Sequence, residues 1–126
     1  MTQMVRTSAI LSVILLLSVQ LLHLKMVLAA TFVVGDAAGW TFNVAAWPNG
    51  KHFKAGDQLV FKYDPNVHNV VAVNRNGYDS CAILPPNAPE FTSGHDQIKL
   101  KAGPNYFICG VPGHCEGGMK IAVIAK

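Results

Sequence analysis

The chain carries a series of short apolar runs rich in β-branched and aromatic residues, a pattern that predicts β-strands. After residue 30 these runs show no helical periodicity, and turn-forming pairs such as Asn49-Gly50 and Asp64-Pro65 separate them. The runs span residues 31–35, 58–63, 68–74, 97–101, 105–110 and 119–125. Many short strands with this spacing predict an all-β sandwich with Greek-key connections.

The N-terminal segment differs from the rest of the chain and predicts a secretory signal peptide. A positive charge precedes an apolar run at residues 9–22, and small residues follow that run. A cut after Ala29 would place Val27 and Ala29 at the −3 and −1 positions. The apolar run is shorter than the roughly 20 residues of a spanning helix, which disfavours a retained membrane anchor. We therefore expect residues 1–29 to be cleaved and residues 30–126 to form one domain.

The charge balance argues against nucleic acid as a partner. Arg6 and Lys25 leave with the signal peptide, so the ten basic residues become eight, against seven acidic ones. The remaining chain has no basic run of the kind that binds nucleic acid. No polar spacer with a hydrophobic tail follows the last apolar run, so we expect no lipid or membrane anchor.

A loop near the end of the chain places a thiol, an imidazole and a thioether at equal intervals. Cys109, His114 and Met119 are each separated by four residues. The glycines and the proline between them disfavour a helix, so we predict a loop that joins two strands. Strand alternation puts Cys109 on the face of Phe107 and Met119 on the face of Ile121. If those faces are buried, both sulfur side chains point inward and His114 lies between them.

Such a cluster needs a further ligand, and His68 is the best candidate. His52 and His95 lie beside turns and are expected at the surface. His68 instead opens an apolar run directly after a turn, where the end of a strand could face the same loop. Two imidazoles, one thiolate and a weak axial thioether form the ligand set of a blue-copper electron-transfer site.

Three cysteines in a secreted chain leave one thiol without a partner. Because neighbouring residues in an extended segment point in opposite directions, Cys115 points away from a metal bound by His114. Cys115 can then pair with Cys81, which leaves Cys109 as the thiolate. Cys81 lies in residues 75–95, which contain three prolines and no strand pattern, although a short helical turn is compatible with residues 78–83. A disulfide would tie this irregular segment down.

The stretches HNVVAV, YFICGVPGHCEGGMKIAV and VVGDAAGW resemble those of the plant phytocyanins, in particular the plantacyanins or basic blue proteins. The resemblance covers residues 30–126. It implies a cupredoxin-like Greek-key β-sandwich of about seven strands with a disulfide between Cys81 and Cys115. It also implies one copper ion, cycling between Cu(I) and Cu(II), with four protein ligands. These ligands are His68, Cys109, His114 and Met119. Stellacyanin-like members have glutamine at the axial position that Met119 occupies here.

The ligand set and the resemblance together predict an electron carrier and not an enzyme. A single site with four protein ligands leaves no open position for a substrate, and the His-x-His pairs of multicopper oxidases do not occur. We expect a monomer, secreted to the cell exterior or cell wall, that exchanges electrons with a small-molecule or protein redox partner. One alternative is an extracellular signalling or adhesion protein in which copper is secondary. A weaker alternative is a structural zinc protein that uses Cys109, Cys115, His114 and His68.

Overall fold

The computed structural model describes residues 2–25 and 28–126, and this part of the chain contains two α-helices, one short 3-10 helix (Asp36–Ala38) and seven strands. The α-helices are α1 (Thr2–Lys25) and α2 (Arg75–Ser80). The strands are β1 (Thr31–Val33), β2 (Gln58–Lys62), β3 (Val70–Val73), β4 (Glu90–Phe91), β5 (His95–Lys99), β6 (Gly103–Ile108) and β7 (Lys120–Ala125). Val27, the −3 residue of the predicted cleavage site, lies outside the described residues. Neither α-helix combines the length and the apolar character that crossing a membrane requires.

The strands form two sheets with the orders β1-β2-β5 and β4-β3-β6-β7. β1 runs parallel to β2, and the remaining neighbours are antiparallel. The two sheets share one hydrophobic core, in which the Phe61 ring of β2 meets the Phe107 ring of β6 at a centroid distance of 5.2 Å. Trp40 packs edge-on against Phe61 in the same core. The predicted all-β sandwich is therefore confirmed.

All six predicted strands are present, although their ends differ by a few residues from the apolar runs. The segment 75–95 contains two elements that the sequence pattern did not predict as such. Helix α2 begins earlier than the anticipated turn because the Asn74 side chain accepts a hydrogen bond from the Gly77 N–H at 2.8 Å and caps it. Strand β4 is only two residues long, which is too short to show an alternating pattern, and it forms by pairing with β3.

The irregular segment is tied to the loop after β6 by a disulfide between Cys81 and Cys115. Their Cα atoms lie 5.6 Å apart, and Cys109 is left as a buried free thiol. Cys115 belongs to a second, smaller apolar cluster that also contains Ile108 and Val71. This arrangement confirms the predicted pairing of Cys81 with Cys115.

Candidate metal centre

Three potential metal ligands converge at one end of the sandwich. The Nδ1 atoms of His68 and His114 lie 3.0 Å apart. The Cys109 Sγ atom lies 3.9 Å from the first of these nitrogens and 3.6 Å from the second. Cys109 is buried, and both imidazoles are partly exposed. The structure therefore brings together His68, Cys109 and His114, as the sequence predicted.

His68 reaches this cluster because a turn directs it there just before β3 begins. The backbone N–H of His68 donates to the Asp64 carbonyl at 3.0 Å, which closes the turn at Asp64-Pro65. The following residue, Asn69, accepts a hydrogen bond on its side-chain Oδ1 from the Gly110 N–H at 2.6 Å. This bond joins the chain beside His68 to the chain beside Cys109, so the two candidate ligands hold a fixed relative position.

The loop that carries His114 is folded on itself by backbone hydrogen bonds. The His114 N–H donates to the Val111 carbonyl, and the His114 carbonyl accepts from the N–H groups of Gly117 and Met119. A second loop fastens this one from outside, because the N–H groups of Asn43 and Val44 donate to the Gly117 and Gly118 carbonyls. These bonds limit the movement of the imidazole and help to form the site in advance of metal binding.

Met119 lies next to Cys109 across two neighbouring strand ends. The Cys109 N–H donates to the Met119 carbonyl at 3.0 Å, and the Met119 side chain is fully buried. It belongs to the same core cluster as Cys109, Phe107 and Ile121. The predicted alternation, with both sulfur side chains facing the core, is confirmed.

The three donor atoms lie at the spacing that a bound metal ion requires. With the bond lengths of a zinc site as a guide, bonds of about 2.0–2.1 Å to nitrogen and about 2.3 Å to a thiolate, meeting at about 100–120°, separate nitrogen from sulfur by about 3.3–3.8 Å. The same bonds separate two nitrogens by about 3.1–3.6 Å. The observed distances of 3.6, 3.9 and 3.0 Å agree with these ranges to about 0.1 Å. A soft thiolate with two imidazoles also suits copper chemically, so the residues fit the ion.

The protonation state of His68 favours metal binding. Burial and the neighbouring His114 imidazole lower the pKa of His68 below its ordinary value. Because a histidine binds metal through its neutral form, a lowered pKa leaves the ring nitrogen available as a ligand near neutral pH.

Phe42 is a part of the site that the sequence analysis did not identify. Its ring lies edge-on to His114 at a centroid distance of 4.9 Å and to His68 at 5.6 Å. The ring also approaches Gly117 so closely that a Cβ atom there would lie 2.8 Å from a Phe42 ring carbon. Phe42 therefore buttresses both imidazoles, and its close approach favours glycine at position 117. No local pattern marks Phe42, because its role depends on contacts with a distant loop.

The other two histidines of the predicted domain lie away from the cluster. His52 and His95 are exposed, as expected from their positions beside turns. The zinc alternative is wrong in its choice of ligands, because Cys115 is joined to Cys81 and has no thiolate to offer. Within the described residues, the grouping of His68, Cys109 and His114 is the one with metal-ligand geometry.

The two-sheet fold and this donor set define a blue copper protein of the cupredoxin type. The family model of the plastocyanin-like domain matches residues 40–119, and the chain belongs to this family. The basic blue protein of Cucumis sativus is 57% identical over 96 residues, which cover 76% of this chain and 99% of the relative. The chemocyanin of Lilium longiflorum is 58% identical over 97 residues, which cover 77% of this chain and 76% of the relative.

Solved structures give the same result. The cucumber basic protein, a blue copper protein, superposes with a TM-score of 0.76 at 57% identity, over 77% of this chain and 100% of that one. Spinach plantacyanin superposes with a TM-score of 0.68 at 55% identity, over 77% of this chain and 100% of that one. These matches confirm the resemblance to phytocyanins and the cupredoxin-like fold.

Proposed function

We propose that this protein carries single electrons through one copper ion held by four side chains. These side chains are His68, Cys109, His114 and Met119. The observation that carries the proposal is the convergence of two Nδ1 atoms and one Sγ atom at metal-ligand spacing. Copper, when bound, supplies a one-electron couple between Cu(I) and Cu(II).

Each side chain has a separate part in this function. Cys109 provides a soft thiolate in a buried position, and the two imidazoles suit both oxidation states. Met119 provides a neutral and weak donor, which tunes the reduction potential more than it holds the ion. The hydrogen bonds at Asn69 and along the His114 loop keep these groups in place, so little rearrangement accompanies a change of oxidation state.

Partners are proposed to dock where His114 reaches the surface. The loop before it exposes Pro112 and Gly113, and Val111 is half-buried beside them. On the other side of the imidazole, Phe42 is 42% exposed. The side chains named here are small or apolar and carry no charge. Such a surface suits short-lived contact with redox partners of different charge.

Processing and location form a further part of the proposal. Residues 1–29 act as a cleaved signal peptide, and residues 30–126 function outside the cell as a monomer. Every buried core residue of the described chain lies between Val34 and Ala125. The match to the solved cucumber basic protein covers all of that protein and 77% of this chain. Residues 30–126 make up about the same share of this chain. Both observations support the proposed domain at residues 30–126.

The test is to secrete the protein, load it with copper and record visible and electron paramagnetic resonance spectra. We expect an intense thiolate-to-copper absorption that disappears in Cys109→Ser and changes strongly in His68→Gln. His52→Gln is the matched control, because His52 is exposed and outside the cluster. A colourless copper-loaded protein would refute the proposal. The signalling or adhesion alternative predicts that Cys109→Ser retains biological activity without the copper spectrum.

A further inference from the structure

Asp57 is a buried carboxylate that faces the first residue of the proposed mature chain. Its exposed fraction is 2%. Its Oδ1 atom accepts a hydrogen bond from the Ala30 N–H at 2.8 Å, and its Oδ2 atom accepts one from the Lys54 N–H at 2.9 Å. Both partners are uncharged backbone groups. Within the described residues, no side-chain cation lies at ion-pair distance from Asp57, and the ion pair that is present joins Arg75 to Asp79.

This arrangement lacks a countercharge where one is expected. Burying an ionised carboxylate is costly unless a cation accompanies it. A cavity of about 440 Å³ adjoins Asp57, and the residues that line it include Lys54, Lys99 and Lys126. Leu28 and Ala29, the last residues of the predicted signal peptide, line the same cavity. Three lysines thus line the cavity without an ion pair to Asp57, and of its two hydrogen-bond donors the Ala30 nitrogen is the shorter contact.

The sheet holds Ala30 from its C-terminal side. The Ala30 carbonyl accepts a hydrogen bond from the Gln58 N–H at 2.9 Å. The next residue, Thr31, pairs with Gln58 at the start of the parallel β1–β2 ladder. Removal of the signal peptide should therefore leave the Ala30 nitrogen beside Asp57.

We propose that Asp57 binds the α-ammonium group that forms at Ala30 when the signal peptide is removed. Hydrolysis of the Ala29–Ala30 peptide bond by a signal peptidase consumes one water, leaves a carboxylate on Ala29 and leaves an ammonium on Ala30. A nitrogen that donates one proton as an amide becomes a cation with three protons. Asp57 gains its countercharge only in the processed chain, so cleavage strengthens the attachment of β1 to β2.

The expected effect follows from the change in the hydrogen bond. A charge-assisted bond is roughly twice as strong as a neutral one, so processing should make the folding equilibrium constant about five- to tenfold more favourable. The inference goes beyond copper binding and depends on the proposed cleavage after Ala29. Intact-mass measurement of the secreted protein determines that site separately, and a first residue other than Ala30 would overturn the inference.

The stability test compares four secreted proteins in a double-mutant cycle. One form begins at Ala30, and a second, directed by a foreign signal peptide, retains Leu28 and Ala29 so that Ala30 keeps its amide. Each form is made with Asp57 and with the isosteric Asp57→Asn substitution. In urea unfolding of the proteins with Asp57, the folding equilibrium constant should be about five- to tenfold larger for the Ala30 form. This difference should vanish in the proteins with Asp57→Asn.

Equal stability of the two forms with Asp57, or an undiminished difference with Asp57→Asn, would overturn the inference. If Asp57→Asn does not fold, selective transamination of the α-amine removes the charge from the unsubstituted Ala30 form. The same loss of stability is expected then, and no loss would refute the ion pair. Copper spectra are recorded on every form that folds, and we expect them to be identical. A failed ion pair with an intact spectrum thus refutes only this inference, and a missing spectrum refutes only the copper proposal.

Discussion

Removing the Cys81–Cys115 disulfide should destabilise the domain and leave its copper spectrum unchanged. The two cysteines are separated by 34 residues in the sequence. In the chain-entropy model, opening a loop of that length lowers the free energy of unfolding by about 3–4 kcal/mol. For a domain of this size, that loss lowers the melting temperature by about 12–30 °C. The spectrum should survive because Cys109 is a separate, buried thiol.

The assay is urea unfolding of the copper-loaded Cys81→Ala/Cys115→Ala variant, with visible spectra recorded in the cold where the variant is folded. Cys109→Ala is the matched control, since it keeps the disulfide and removes the proposed thiolate ligand. The double variant should lose stability and keep its colour, whereas the control should lose its colour and keep the disulfide. A double variant that is colourless but as stable as the parent would show that the cysteine roles are assigned the wrong way round.

Three further outcomes are expected. Met119→Gln should lower the reduction potential, because an oxygen donor favours Cu(II). A shift of about 59 mV would correspond to roughly 1.4 kcal/mol. An unchanged potential in voltammetry argues against an axial role for Met119. Pro112→Glu should slow electron exchange with several partners without changing the spectrum, and unchanged rates would exclude docking beside His114. Burial and the hydrogen bond to the Asp96 carboxylate raise the pKa of Tyr63 above its ordinary value of 10.0, so its contribution to stability is complete below about pH 10 and is lost above it. Tyr63→Phe should therefore flatten the fall in unfolding free energy at alkaline pH, and an equally steep fall would contradict this role.

The strands and the sulfur ligands could be predicted because their patterns are local. Alternation along 105–110 and 119–125 placed Cys109 and Met119 on the buried faces, and the structure agrees. Strand β5 follows the same alternation, with Asp96 and Ile98 on its inward face and an exposed residue between them. The inward Asp96 carboxylate accepts hydrogen bonds from Tyr63 and Ser93. A charged residue on the inward face of a strand thus indicates a buried hydrogen-bonded group.

Other features could not be predicted, because they depend on contacts between distant parts of the chain. Strand β4 exists only through its pairing with β3, and two residues carry no period. Phe42 lies in a stretch without strand or helix pattern, and its place beside the imidazoles follows from hydrogen bonds to the loop that carries His114. The sequence around Asp57 does not predict its contact with Ala30, because the Ala30 nitrogen reaches the carboxylate only through the parallel pairing of β1 with β2.

In the metal site, the choice of donor atoms and their spacing depend on different parts of the chain. Three of the four proposed ligands lie in one short loop, so the sequence specifies the donor atoms almost by itself. The spacing of those atoms is set elsewhere, by the Asn69 bond to Gly110 and by the loop at Asn43 that holds Gly117. A substitution at Asn69 would remove no donor atom, but it would loosen the geometry between His68 and Cys109. The identity of the metal is therefore encoded in the ligand loop, while the rigidity that rapid electron exchange requires is encoded in residues that never contact the ion.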